Sequence, residues 1–184
     1  MAWWNFWKRK KKTKIVKMPV VKNVGIVIGH TKKDGGAWNF NKTFQEYNYW
    51  LEVCNEKLIT SKNICIRTRD KGGVRGACQS ILSYFVNKPE VIIHVHFNSY
   101  NGKVAGREGV YTTSLGKVLA EKYGKGSRGA KSAYDTGRGI TNLEISAKYC
   151  DASFILEGFF GDNPNDYKAP DEMREELTEF INGL

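Results

Sequence analysis

Histidine is scarce in this chain: His30, His94 and His96 are the only three among 184 residues. Cysteine is also sparse, and Cys54, Cys65, Cys78 and Cys150 include no Cys-x-x-Cys pair, which argues against structural zinc bound by cysteine. Cys54 and Cys65 sit in apolar-patterned segments, so the four read as reduced, buried thiols of a protein folded in the cytosol. No run of 18 consecutive apolar residues occurs, so no transmembrane helix is expected. Acid is missing from residues 1–22, which carry Lys8, Arg9, Lys10, Lys11, Lys12, Lys14, Lys17 and Lys22.

What is present describes one globular domain. The composition is 41% hydrophobic and 12% aromatic, which excludes a disordered chain, and the length is enough to bury a core. The net charge of +10 is uneven, because the C-terminal 151–184 segment is acidic while the rest is basic. Such a field suits an anionic polymer or surface. Bacterial cell wall, membrane and nucleic acid are all such environments, and no specific nucleic-acid contact is expected.

The chain divides into a basic, aromatic tail, 1–22, and a body, 23–184. In the tail Trp3, Trp4, Phe6 and Trp7 precede the cationic run, the reverse of a signal peptide. Tryptophan at headgroup depth and lysine on anionic lipid would make a surface anchor. Docking into a partner protein and a solvated tail remain equally open.

In the body, Val24–Ile28, Ile64–Arg67, Val91–His96 and Ser153–Leu156 read as strands, rich in β-branched residues and bounded by turn formers. Phe44, Tyr47, Leu51, Cys54 and Leu58 recur at helical spacing. Further helices are expected over 74–86, 113–123, 141–149 and 171–182, with a Gly- and Asn-rich loop at 98–109. Alternating strands and helices predict an α/β fold, a mostly parallel twisted sheet with helices on both faces. Ligands in such sheets gather beyond the carboxyl ends of the strands. His30, His96 and Glu157 each fall at such an end. His94 and His96 are two apart on a strand and share a face, together with Asn98 if the strand continues. A carboxylate such as Glu157, closing a buried strand, must be paired, protonated or functional. Glu46 lies near the start of the first helix. Two imidazoles and one carboxylate can hold zinc tetrahedrally and leave its fourth position to water.

With these segments in place the chain resembles the zinc-dependent N-acetylmuramoyl-L-alanine amidases of the type 3 family, which include phage endolysins. Gly29-His30, Asp34 and Gly36-Ala37 fit the family's first motif, and Glu46 falls where its glutamate ligand opens the first helix. His96-Phe97-Asn98-Ser99 matches the strand-terminal His-x-Asn-Ala/Ser motif, and Glu157-Gly158-Phe159 the segment of the catalytic glutamate. Lesser echoes are Thr68-Arg69-Asp70, Arg138-Gly139-Ile140 and the stretch from Asn163 to Asp166. The resemblance spans about 24–182. The chain departs from the pattern at Thr31, at His94, where a small residue is usual, and in the direct succession of Glu157 and Gly158.

The resemblance implies hydrolysis of the amide between N-acetylmuramic acid and the L-alanine of the peptidoglycan stem peptide. It implies Zn2+ held by His30, Glu46 and His96, with Glu157 as the catalytic proton acceptor. Asn98 would support the site or touch substrate, and His94 would compete as a ligand or line the pocket floor. It further implies a phage lysin that waits in the host cytoplasm for release to the wall or travels with the virion, where residues 1–22 would meet a membrane or a virion protein. Two other readings stand beside it: a non-catalytic wall-binding or polyanion-binding protein on the same fold, and a zinc peptidase cutting within the stem peptide.

Overall fold

The computed structural model describes residues 19–184 apart from 56, 57 and 59. The proposed surface anchor in the N-terminal tail therefore lies outside the described residues. A six-stranded sheet runs in the order β2-β1-β3-β6-β4-β5. Its strands are β1 (Asn23–Ile28), β2 (Asn63–Arg67), β3 (Val91–Asn98), β4 (Glu108–Tyr111), β5 (Ala130–Ser132) and β6 (Ala152–Phe160). All neighbours pair in parallel except β4 and β6, which are antiparallel. The helices are α1 (Glu46–Asn55), α2 (Gly73–Tyr84), α3 (Ser114–Gly124), α4 (Ala133–Thr136), α5 (Ile140–Ser146) and α6 (Pro170–Asn182).

The expected α/β architecture is present, with four predicted strands and five predicted helices in the predicted order. Two short strands and one short helix were not foreseen. The predicted loop 98–109 overlaps both ends of its neighbours, since β3 runs to Asn98 and β4 begins at Glu108. Four-residue β4 and three-residue β5 are too short to display a period of two.

The central strand β3 explains the layering. Val91, Ile93, Val95 and Phe97 face one core, which includes Tyr49 and Trp50 of α1, Leu119 of α3 and Met173 and Leu177 of α6. Ile92 faces the other, with Ala77, Cys78 and Ile81 of α2 and Cys150. A strand covered on both faces needs apolar residues at consecutive positions, which is why its sequence reads as a continuous run. Tyr49 lies at the centre of an aromatic cluster, with ring centroids 5.6 Å from Phe97, 5.2 Å from Phe159 and 5.5 Å from Trp50. These contacts fasten α1 across the ends of β3 and β6.

One polar residue interrupts the apolar run of β3. His94 is fully buried, and its Nε2 lies 2.7 Å from Ser146 Oγ at the end of α5. Ser146 donates its one hydroxyl proton to the Asn142 carbonyl oxygen at 2.9 Å, so His94 Nε2–H is the donor to Ser146. Burial brings the His94 pKa down to about 3, with His96 and Arg69 adding to the effect. The folded protein therefore keeps this imidazole neutral, whereas the unfolded chain takes up a proton below an ordinary value near 6.5. His94 should lower stability progressively as pH falls from 6.5 toward 3, by up to ~1.4 kcal/mol per pH unit. Thermal unfolding of His94→Gln measured between pH 7 and 4 should show a shallower loss of stability than the unsubstituted protein; parallel curves would refute this.

Candidate metal centre

The site forms where β1, β3 and β6 end beside the start of α1. After β1, Gly29 donates its backbone N–H to Val95 O at 3.0 Å, and His30 turns away with φ +62°. Left-handed backbone is uncommon for a residue with a side chain and marks a position held by its surroundings. The loop that follows returns to α1, where Glu46 N–H donates to Ala37 O (2.9 Å) and Tyr47 N–H to Gly35 O (3.0 Å). The first turn of α1 is thus satisfied by main chain. The Glu46 carboxylate stays free to reach the strands, at the helix end whose dipole favours a negative charge.

Three side chains converge. His96 Nδ1 is 2.7 Å from Glu46 Oε1, and His30 Nε2 is 3.3 Å from Glu46 Oε2. Phe97 N–H also donates to Glu46 Oε1, at 3.3 Å. His30 uses its other nitrogen on Asp34 Oδ2, 3.2 Å away, which fixes the ring's orientation. One donor atom from each of His30, Glu46 and His96 lies within 4.8 Å of the other two. Zinc bonds of about 2.0–2.1 Å on a tetrahedron separate ligand atoms by about 3.3 Å, so this spacing suits the ion. The ring nitrogen Nε2 of His96 is buried and has no hydrogen-bond partner among the described residues.

Two glycines make room for this convergence. A Cβ on Gly29 would lie 2.3 Å from the His96 ring. At Gly36, which has φ +74°, it would lie 2.7 Å from the His30 ring and 2.9 Å from Glu46 Oε2. Neither position tolerates a side chain while the imidazoles keep their places.

Electrostatics tie the three together. Burial acts to raise Glu46, but His96 and His30 outweigh it and hold its pKa at about 2. His30 is raised to about 9, chiefly by its hydrogen bond to Glu46 and against the effect of burial, with Asp34 assisting. Without metal the pair is a carboxylate–imidazolium contact, and a metal ion must displace the imidazolium proton.

Glu157 stands beside this cluster. Its backbone is paired with His96 across β3 and β6, and with Glu108 across β6 and β4. Residues directly opposite in a sheet share a face, so His96, Glu157 and Glu108 form one row. Glu157 is 8% exposed, and its pKa is pushed up to about 7, mainly by burial; His96 and Arg138 pull it down while Glu46 and Glu108 push it up. Arg138 Nη1 lies 3.8 Å from Glu157 Oε1.

The predicted site residues are therefore brought together at His30, Glu46, His96 and Glu157. Asn98 lies at the adjoining edge, accepting from Arg138 Nη1 (3.1 Å) on Oδ1 and from Gly161 N–H (2.8 Å) on its carbonyl oxygen. His94 shares the His96 face, as the spacing predicts, but its ring is engaged by Ser146 in the core and it is not in the three-donor cluster. Sequence reasoning missed Glu108 and Arg128. Glu108 is 1% exposed, held by Arg128 Nε at 2.9 Å and by Arg138 Nη2. Its position within a stretch read as loop concealed it.

Zinc titration should give one ion per chain, with affinity rising about tenfold per pH unit while His30 must lose its proton, between pH 6 and 8. Gly29→Ala should lose most of that affinity, because the added methyl displaces the His96 ring. Competition with a chromophoric chelator measures both; a pH-independent affinity or an unaffected Gly29→Ala variant would contradict this site.

The sequence matches no protein-family model and no curated protein. Solved structures do match. The catalytic domain of CwlV, an N-acetylmuramoyl-L-alanine amidase from Bacillus (Paenibacillus) polymyxa var. colistinus, superposes with a TM-score of 0.61 at 18% identity, over 88% of this chain and 94% of that one. The catalytic domain of an endolysin targeting Clostridia difficile gives 0.64 at 19% identity, over 88% and 97%. The amidase AmiC2 of Nostoc punctiforme gives 0.63 at 18% identity, over 87% and 94%. At these identities the likeness is one of fold, and it extends over nearly all the described residues: this chain has the fold of N-acetylmuramoyl-L-alanine amidase catalytic domains.

Proposed function

We propose that this protein is a zinc-dependent peptidoglycan hydrolase that cleaves the amide between N-acetylmuramic acid and the L-alanine of the stem peptide. The observation that carries the reading is the row on the sheet's carboxyl rim: a two-imidazole, one-carboxylate donor set with a buried glutamate paired directly to one of its histidines. His30, Glu46 and His96 would hold the zinc, which when bound would supply Lewis-acid activation of water and of the scissile carbonyl. Glu157 takes the water's proton and delivers it to the departing amine of L-alanine. Burial and the neighbouring carboxylates Glu46 and Glu108 raise the basicity of Glu157, the direction that suits a group accepting and returning a proton. Asp34 keeps the His30 ring in the tautomer that turns Nε2 toward the donor cluster. The net charge of +10 draws the enzyme to a polyanionic wall.

One of the matching folds is the catalytic domain of an endolysin, and we propose the corresponding lytic role, in phage release, for this chain. In that role the enzyme waits in the host cytoplasm for access to the wall or is carried on the virion. Residues 1–22 act as a separate contact segment, for an anionic membrane or a virion protein, ahead of the catalytic domain 23–184.

The test is mass spectrometry of purified peptidoglycan after digestion, with chelator and with zinc restored. Stem peptides with a free L-alanine amine, released from intact glycan and only when metal is present, are expected. Glu157→Gln should keep its zinc and lose about 10²–10⁴-fold in turnover. Cuts inside the peptide would make the protein a stem-peptide peptidase, and the absence of products with any metal would make it a wall-binding protein.

A further inference from the structure

Glu108 is buried more deeply than any other charged residue among those described, at 1% exposure. Such a carboxylate is costly unless its charge is met. Arg128 alone meets it, through Nε on Oε2 at 2.9 Å. A second arginine, Arg138, nevertheless binds the other oxygen through Nη2. One cation balances one carboxylate, so neutralising Glu108 does not account for Arg138.

The opposite side of the guanidinium does. Arg138 Nη1 donates to Asn98 Oδ1 at 3.1 Å and lies 3.8 Å from Glu157 Oε1. Pinned at both Nη atoms, a planar guanidinium has its remaining direction set. The backbone around it is also constrained. Gly137 and Gly139 flank Arg138 with φ +68° and +66°, and a Cβ on Gly139 would lie 2.0 Å from Ile155 Cδ1, two residues before Glu157 on β6. The turn that carries Arg138 is thus seated on the strand that carries Glu157.

We infer that Arg138, clamped by Glu108 and Asn98, is a positioning residue that holds the Glu157 carboxylate in line with the three-donor cluster. The inference rests on the reading of Glu157 as the proton acceptor. Arg138 is itself 38% exposed at its side chain, so it can be removed while Arg128 still neutralises Glu108.

The experiment compares Arg138→Ala, Arg138→Lys and the Arg138→Ala/Glu157→Gln pair with the unsubstituted enzyme on soluble peptidoglycan fragments, with zinc content measured on each. For Arg138→Ala, kcat should fall about 100-fold, the scale of a misplaced reacting group, with KM and zinc content unchanged. Arg138→Lys should recover only part, since an ammonium has no fork to bridge Asn98, Glu108 and Glu157, and it reads the same quantity if the alanine variant does not fold. In the Glu157→Gln background the alanine change should cost nothing further. A loss confined to KM, a loss of zinc, an unchanged kcat or an undiminished loss in the double variant would each overturn the inference while leaving the hydrolase standing. An unsubstituted protein that does not hydrolyse the fragments, or one indifferent to Glu157→Gln, would overturn the reading of Glu157 and this inference with it.

Discussion

A carboxylate almost removed from water governs the architecture of this site. Glu46 is 3% exposed and keeps its charge only because His96, His30 and the Phe97 N–H surround it. The surrounding groups in turn depend on small residues: the His96 ring occupies the space over Gly29, and the His30 ring that over Gly36. The helix that presents Glu46 is fastened three residues further on, where Tyr49 packs among Trp50, Phe97 and Phe159. Loop 29–45, α1 and the end of β3 therefore behave as one mechanical unit, in which moving any part uncovers the buried charge.

The second half of the site follows from sheet topology. Parallel strands β3 and β6 bring His96 and Glu157 to the same rim at the same level. The antiparallel β4 enters from that rim, so its first residue, Glu108, completes the row. The row passes from a member of the three-donor cluster to a buried acid and on to an acid neutralised by two arginines. The middle member feels opposing influences: burial and two neighbouring carboxylates raise Glu157, while His96 and Arg138 lower it. That balance leaves a group able to change protonation near neutral pH, which a buried acid paired tightly to arginine, as Glu108 is, cannot do.

Much of this was readable from residues alone, for identifiable reasons. Strands covered on both faces must be continuously apolar, so β1, β3 and β6 announced themselves, and with them the placement of His30, His96 and Glu157 toward the carboxyl ends. Glu157 does not close its strand as expected, because pairing with β3 carries β6 on to Phe160. The spacing of His94 and His96 correctly placed both on one face. It carried no information about depth, and two residues along β3 separate a ring at the rim from one locked to Ser146 in the core. Glu108 and Arg128 left no trace, because β4 and β5 are shorter than the window over which alternation can be seen, and glycines at 106, 109, 126 and 129 give those stretches the look of loop.

The sequence by itself determined the order of the longer elements, the face each of their apolar residues seeks and the kinds of donor available, since these follow from local periodicity and side-chain chemistry. The tertiary structure alone decided which donors meet. His30, Glu46, His96 and Glu157 come from four distant parts of the chain, and a shift of one residue in the β3–β6 register would turn Glu157 to the opposite face from His96. That register is set by packing over both faces of the whole sheet, a sum of long-range contacts to which no short stretch of sequence corresponds.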